Sequence, residues 1–462
     1  MPAIITKDFR IQNANQFKES FDESADTYYL AIGRPQAFAN DQAFNDGTDT
    51  SPPTPVDSVG SVDYYVYDDL MSAKKITSSN VSAVIPRRNW TTGTTYDYYR
   101  HDYGEINSAG SAIAANSGAT TLHDATFYVM NSTFDVYKCI DNNGDSASTV
   151  EPTGNKTTSV FSTGDSYKWK YMYTLTASEQ ANFMSTDFIH CSTESTDYST
   201  TAGAIENAKV TAGGSGGTNG TYTNVDIRGD GSSGKCTVVV SSNAVTSVTI
   251  TTAGSGYTFA SVLASDIGTV SCADIDFIIS PPGGHATDVI AELGGFFVMM
   301  NVDFATDESG EFNTSNDFRR IALLRNPTDS TTGATATAST LDATKSITFS
   351  GTPGAFQADE KITQASTGAV GYVVDFNSTT KVLRYIQPQF ANQGIDTNQN
   401  VTAFSGTNTV TGGTSSATGT PSSHDVTPEL TADTGDILYI ENRKPISRAS
   451  DQTENVKLIV EF

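Results

Sequence analysis

The sequence predicts a mainly β protein: a layered β-sandwich core with few short helices and two inserted, protruding β-rich modules. Three observations carry this. Charged residues make up only 17% of the chain, so its polarity comes from Thr, Ser, Asn and Gly, the composition of turn-rich β-proteins. Apolar and aromatic residues gather in short runs of strand length. Two long stretches, rich in Gly, Thr and Ser, interrupt the denser remainder.

The strands are expected at YYLAIG, TFYVM, VYKCI, KWKYMYTL, GGFFVMMNV and RRIALL, and near the end at ILYIENR and VKLIVEF. Helix signals are few. Asn13 to Glu23 carries Phe17 and Phe21 at four-residue spacing, and Ser178 to Met184 follows a cap at Thr176. Asp57 to Lys74 sets Val59, Val62, Val66 and Leu70 on one stripe at steps of three and four, which predicts a helix. The first interrupting stretch, 203–284, contains GGSGGTNGTYTNV and AGSGYTFASV, two copies of a Gly-Tyr-Thr unit flanking the strands CTVVV and AVTSVTI. The second, 328–420, begins TDSTTGATATAST and ends GTNTVTGGTSSATGT. The expected organisation is therefore a core of three pieces, 1–202, 285–327 and 421–462, with modules at 203–284 and 328–420.

Composition also narrows function. A net charge of −25 repels a phosphate backbone, which argues against nucleic acid as a partner. The opening residues MPAIITKDFRIQNANQF show no signal-peptide pattern, and no run of about 18 apolar residues suggests membrane insertion. Cys139, Cys191, Cys236 and Cys272 are scattered without a C-x-x-C pair, which points to a reducing place of synthesis. His101, His123, His190, His285 and His424 stand far apart and read as packed or surface residues.

Several motifs imitate chemistry. RGDGSSGKC, Arg228 to Cys236, matches a phosphate-binding loop at Gly229, Gly234 and Lys235, but Cys236 replaces the Mg²⁺-binding hydroxyl. A strand pattern follows it where that loop needs a helix, so it reads as a hairpin turn. Asp141 to Pro152 resembles a calcium loop, yet its glycine is fourth instead of sixth, so it reads as a polar turn. The neighbours Asp307-Glu308 and Asp359-Glu360 point to opposite faces of any strand and make no paired-carboxylate site. No catalytic set, cofactor site or metal site is predicted.

Two candidate contact motifs remain. In AVIPRRNW, Arg87, Arg88 and Trp90 follow a proline-stiffened strand end; they read either as an anchoring contact or as an internal salt bridge to an acidic neighbour. In YIENRKPIS, Tyr439, Glu441, Asn442 and Arg443 sit on a strand near the terminus, a candidate interface or structural anchor.

At these residues the chain resembles the baseplate wedge subunits of T-even-like contractile-tailed bacteriophages, the dimeric protein of the outer wedge. The resemblance rests on YLAIGRPQAF, PPTPVDSV, AVIPRRNW, VYKCIDNN, GDSYKWKYMYTL, FRRIALLRNP and GDILYIENRKPISRASDQTENVKLIVEF, in that order. The two inserted stretches have no counterpart in it. It implies a structural protein without catalysis, a homodimer binding neighbouring wedge proteins, made in the host cytoplasm and placed in the virion's tail baseplate. The alternative is a receptor- or glycan-binding adhesin, which would expose Tyr222 and Tyr257 together in a shallow groove; a polysaccharide-degrading enzyme would need facing carboxylates.

Overall fold

The computed structural model describes residues 4–38, 47–55, 66–107, 110–154, 156, 160–192, 201–388, 394–398 and 400–462. The protein is mainly β, as the composition predicts, and the chain divides into two compact units. The first comprises 1–16, 82–299 and 459–462; the second comprises 17–81 and 300–458.

In the first unit, a four-stranded sheet runs in the order Tyr128–Met130, Asp135–Asp141, Lys168–Thr174, Phe161–Ser162. Tyr128–Met130, Asp135–Asp141 and Lys168–Thr174 are buried at nearly every position, because both faces of the sheet are covered. Around them lies an aromatic core in which Trp169, Tyr167, Tyr137 and Phe127 are fully buried, with Tyr167 stacked on Trp169 at 5.5 Å. The helix Ala177–Phe183 starts at Thr176 as expected: Thr176 Oγ1 accepts from the Glu179 N–H, and the Glu179 carboxylate accepts from the Thr176 N–H at 2.7 Å.

The same unit holds a second hydrophobic cluster, built from Ile205, Val225, Cys236, Val238, Val240, Tyr257 and Phe277 among others. Its three-stranded sheet runs Gly220–Asp226, Lys235–Ser241, Ala244–Thr252. The central strand alternates strictly, with Cys236, Val238 and Val240 inside, the period of a half-buried strand. Ile205–Ala212 pairs antiparallel with Asp274–Ile279.

The second unit is built on a five-stranded sheet in the order Thr340–Asp342, Leu70–Ile76, Tyr28–Gly33, Phe318–Arg325, Asp436–Ile446. Tyr28–Gly33 is central and buried at every position, which explains its unbroken apolar run. Six further strands between Lys345 and Asp425 close into a barrel around Ile347, Ile362, Val373, Leu383 and Phe404.

Two helix expectations need correction. The first helix spans Lys7–Ser20, beginning six residues earlier than its aromatic spacing indicates, although Phe17 and Phe21 do meet, edge to face at 5.1 Å. Of the helix expected over Asp57 to Lys74, Val59 and Val62 lie outside the described residues. Val66–Asp68 are helical as expected, but the end of the stretch is different: Leu70–Ile76 is a strand hydrogen-bonded between two neighbours. Pairing with the buried strand Tyr28–Gly33 outweighs a local helical spacing, because sheet partners supply what propensity alone does not.

Candidate assembly surfaces

The strand Val81–Pro86 pairs with Phe188–His190 and delivers Arg87, Arg88 and Trp90 just beyond its end. The backbone continues along the sheet: the Arg87 N–H donates to the Asp187 carbonyl at 2.7 Å, Met130 N–H to Arg88 at 2.7 Å, and Trp90 N–H to Met130 at 2.9 Å. The side chains turn inward. Arg87 donates to Asn89 Oδ1 and to the Ser185 carbonyl, each at 3.0 Å. Arg88 donates to the carbonyls of Ala125 and, at 3.0 Å, His123, and its guanidinium lies 4.6 Å from the Tyr128 ring centre. Tyr128 in turn donates its hydroxyl to the Pro86 carbonyl at 2.7 Å. Trp90 Nε1 reaches Ser148 Oγ at 3.1 Å. The cluster holds several loops of the first unit through backbone carbonyls; of the two sequence readings, an anchoring contact or an internal salt bridge, no acidic partner of Arg87 or Arg88 is found among the described residues. Hydrogen bonds from a charged donor are worth roughly 1.5–3 kcal/mol each, and cation–π contact adds about 0.5–2.

The strand Asp436–Ile446 occupies one edge of the five-stranded sheet in the second unit. Its register shifts opposite Leu323 and Leu324, which pair with Tyr439 and Ile437, leaving Leu438 as the extra residue of a β-bulge. The bulge lets Ile437 and Ile440, three residues apart, both pack on the core while Leu438 is turned out, 43% exposed. Tyr439, Glu441 and Arg443 follow at two-residue spacing on one face. Their side chains form a ladder, with the Tyr439 hydroxyl donating to Glu441 at 3.1 Å and Arg443 3.6 Å from the same carboxylate. Burial, then the Glu441 charge, pushes the Tyr439 phenol above its ordinary pKa, so it stays a donor. Asn442 differs: its Oδ1 accepts from Arg320 and its Nδ2 donates to the Pro53 carbonyl, both at 3.0 Å. Arg320 continues to the buried Asp69 at 2.7 Å. Among the described residues no strand pairs with the outer edge of this strand.

The imitative motifs resolve into structural parts. The strands either side of RGDGSSGKC pair antiparallel, Val225 with Cys236 and Asp226 with Lys235, so the segment is a hairpin connection as expected. Its glycines admit a ring: a Cβ on Gly231 would lie 2.4 Å from the Tyr257 ring, and one on Gly234 2.8 Å from its hydroxyl. That hydroxyl accepts from the Gly234 N–H at 3.1 Å and donates to the Ile227 carbonyl at 2.9 Å. Asp230 accepts from the Thr258 hydroxyl and N–H, and these bonds hold its carboxyl down to about 2. Tyr257 is thus buried and Tyr222 half-buried, the latter donating to the Thr218 carbonyl, so they do not form the exposed aromatic groove a glycan reading requires. In the calcium-like loop, Asp141 accepts from the Asn143 N–H and Glu151 from Ser132, while Asp145 pairs with Lys209 at 3.3 Å. Glu308 pairs with Lys74 at 2.6 Å, and Glu360 accepts from Gln357, Thr414 and Ser415. His123 is driven down to about 4 by burial, then by nearby Lys7, and stays neutral.

One feature escaped the sequence. Lys138, inside VYKCI, has a side chain 0% exposed and forms an ion pair with Glu292, 2% exposed, on the short helix Val289–Leu293. Burial pulls the Lys138 ammonium below its ordinary pKa, and the Glu292 carboxylate opposes that shift.

Residues 3–151 match the family described as Bacteriophage T4, Gp8, which bears out the resemblance to a baseplate wedge subunit. The chain is similar to the baseplate wedge protein gp8 of Enterobacteria phage T4, 26% identical over 215 residues, covering 40% of this chain and 60% of that protein. The chain thus spans about 60% of the length of the curated relative it matches.

Proposed function

We propose that this chain is a structural, non-catalytic subunit of the tail baseplate wedge of a contractile-tailed bacteriophage. It acts as a homodimer that binds neighbouring wedge proteins, is made in the host cytoplasm and resides in the virion. The observation that carries this is the match of residues 3–151 to the Gp8 family, joined by the similarity to the T4 wedge protein. In this reading Arg87, Arg88 and Trp90 are internal braces. The edge strand carrying Leu438, Tyr439, Glu441 and Arg443 is the pairing surface, because an open edge offers unpaired N–H and C=O groups and the bulge presents an apolar side chain beside them. A two-fold interface reuses one patch on both subunits, which suits an antiparallel edge-to-edge pair. The stretches 203–284 and 328–420 are proposed as modules inserted into the wedge body, as each contains a hydrophobic cluster of its own.

Sedimentation of the purified chain at micromolar concentration tests this. The expected mass is twice 49.0 kDa, and a Leu438→Lys, Tyr439→Glu double variant is expected to sediment as a single chain while keeping its circular dichroism spectrum. A wild-type mass near 49.0 kDa refutes the homodimer, and an unchanged dimer in the double variant refutes the edge strand as its surface.

A further inference from the structure

The edge strand Asp436–Ile446 has a main-chain polarity and a charge pattern that together restrict how it can meet a copy of itself. The Asn326 N–H donates to the Thr27 carbonyl, on the side of Tyr28–Gly33, and that strand pair runs without a register shift. Main-chain groups point to alternate sides along a strand, so Leu323 and Ile321 turn theirs to the other neighbour, where they face Tyr439 and Glu441. The N–H and C=O groups of Ile440 and Asn442 are therefore left pointing at the open edge. Tyr439, Glu441, Arg443 and Pro445 alternate along one face. The Glu441 side chain is 35% exposed and that of Arg443 50%, and Arg443 makes no hydrogen bond among the described residues. Along the strand, Asp436 and Glu441 are balanced by Arg443 and Lys444, in a chain of net charge −25. A locally neutral edge is where two such acidic chains can approach.

We propose that two copies of the chain pair antiparallel along this edge with the two-fold axis at Asn442, so that Glu441 of each faces the partner's Arg443. This rests on the edge-strand homodimer proposed above and adds its register. In a two-fold antiparallel pair the axis falls at a residue or between two, and outward main-chain groups must meet outward ones. Ile440 and Asn442 both point outward, so the axis passes through a residue. An axis at Glu441 sets two carboxylates opposite each other, and one at Arg443 sets two guanidinium groups; like charges directly opposite destabilise a pair. An axis at Ile440 sets Glu441 against the partner's Tyr439 and leaves Arg443 opposite an isoleucine. At Asn442 each Glu441 meets an arginine, each Tyr439 meets a proline, and the outward groups of the two Asn442 residues bond to each other. Glu441 and Arg443 then form a non-hydrogen-bonded pair, in which Cα atoms are only about 4.5 Å apart and side chains come closest. Pro445 fits opposite Tyr439, since that position makes no main-chain bond across the interface and its missing N–H costs nothing there.

The experiment is disulfide trapping of the full chain in a Cys272→Ser background, which removes the exposed cysteine and leaves the buried Cys139, Cys191 and Cys236. Glu441→Cys and Arg443→Cys chains are mixed in the reduced state, left to exchange and then oxidised. The mixture is expected to give a cross-linked species of twice 49.0 kDa, and neither chain alone. Cross-linking of Glu441→Cys alone puts the axis at Glu441 and overturns the proposal. Cross-linking of Arg443→Cys alone overturns it too, as does none in any sample of a chain that sediments as a dimer. Failure of the underlying reading looks different: a wild type of 49.0 kDa, or a dimer that the Leu438→Lys, Tyr439→Glu variant leaves intact, removes the edge-strand dimer and the register with it. Charge exchange is the second measurement. Glu441→Arg and Arg443→Glu are each expected to weaken the dimer about tenfold, and the double variant to recover to within about threefold of the wild type, because it only swaps the two partners. A double variant that dimerises no better than the singles overturns the proposal.

Discussion

Removing the Lys138 ammonium is expected to destabilise the first unit far more than removing the whole Lys138–Glu292 pair. Both side chains are buried in an aromatic core, with the ammonium 4.9 Å from the Tyr99 ring centre. At an effective dielectric constant of about 20, unit charges about 4 Å apart attract by about 4 kcal/mol. Desolvating the two groups costs several kcal/mol each, so the pair's net worth is small while each partner alone is a liability. Lys138→Met leaves Glu292 charged and enclosed, at a cost of about 3–5 kcal/mol. The double variant Lys138→Met, Glu292→Leu removes both charges and is expected within about 1 kcal/mol of the wild type. The assay is urea unfolding followed by tryptophan fluorescence, which selects this unit because both tryptophans, Trp90 and Trp169, belong to it. A coupling of at least about 2 kcal/mol is the expected outcome of the cycle. Single variants costing less than about 1 kcal/mol, or a double variant whose cost equals the sum of the singles, refute the reasoning.

Asp97, 1% exposed, accepts from the Ser117 N–H and hydroxyl at 2.9 and 2.6 Å and from the Thr126 N–H at 2.7 Å. Burial pushes its carboxyl up, but these bonds outweigh burial and hold it below its ordinary value, so it stabilises the fold above about pH 4 and that contribution is lost as pH falls through the depressed value. Asp97→Asn is therefore expected to lower stability at pH 7 and to flatten the acid limb below about pH 4, read by tryptophan fluorescence; an acid limb as steep as the wild type's counts against it. Replacing 203–284 by a short linker is expected to leave a cooperatively unfolding unit, since closure entropy grows slowly with loop length. Its midpoint should fall, because the deletion takes Asp276 from Arg100 and removes the Asn207 amide from the Ile140 carbonyl. A non-cooperative transition shows that the stretch is part of the core.

Strands were legible where burial on both faces forced unbroken apolar runs, as in Tyr28–Gly33 and in Ile321 to Leu324. The hairpin at RGDGSSGKC was legible because the β-branched run after Lys235 contradicts a helix. What its glycines are for was not: they make room for the ring of Tyr257, more than twenty residues away, and only the folded module brings the two together. The same limit explains the error at Leu70–Ile76, whose partners Tyr28–Gly33 and Thr340–Asp342 come from distant parts of the chain and override a local spacing. Charge follows the rule most strictly. A lysine inside a strand reads as a solvent-facing residue of an alternating pattern, and for Lys138 the correcting fact is Glu292, 154 positions away. Lys345 is the milder case: its register partner Tyr385 turns it toward the barrel, where it donates to Gln387, 42 positions away.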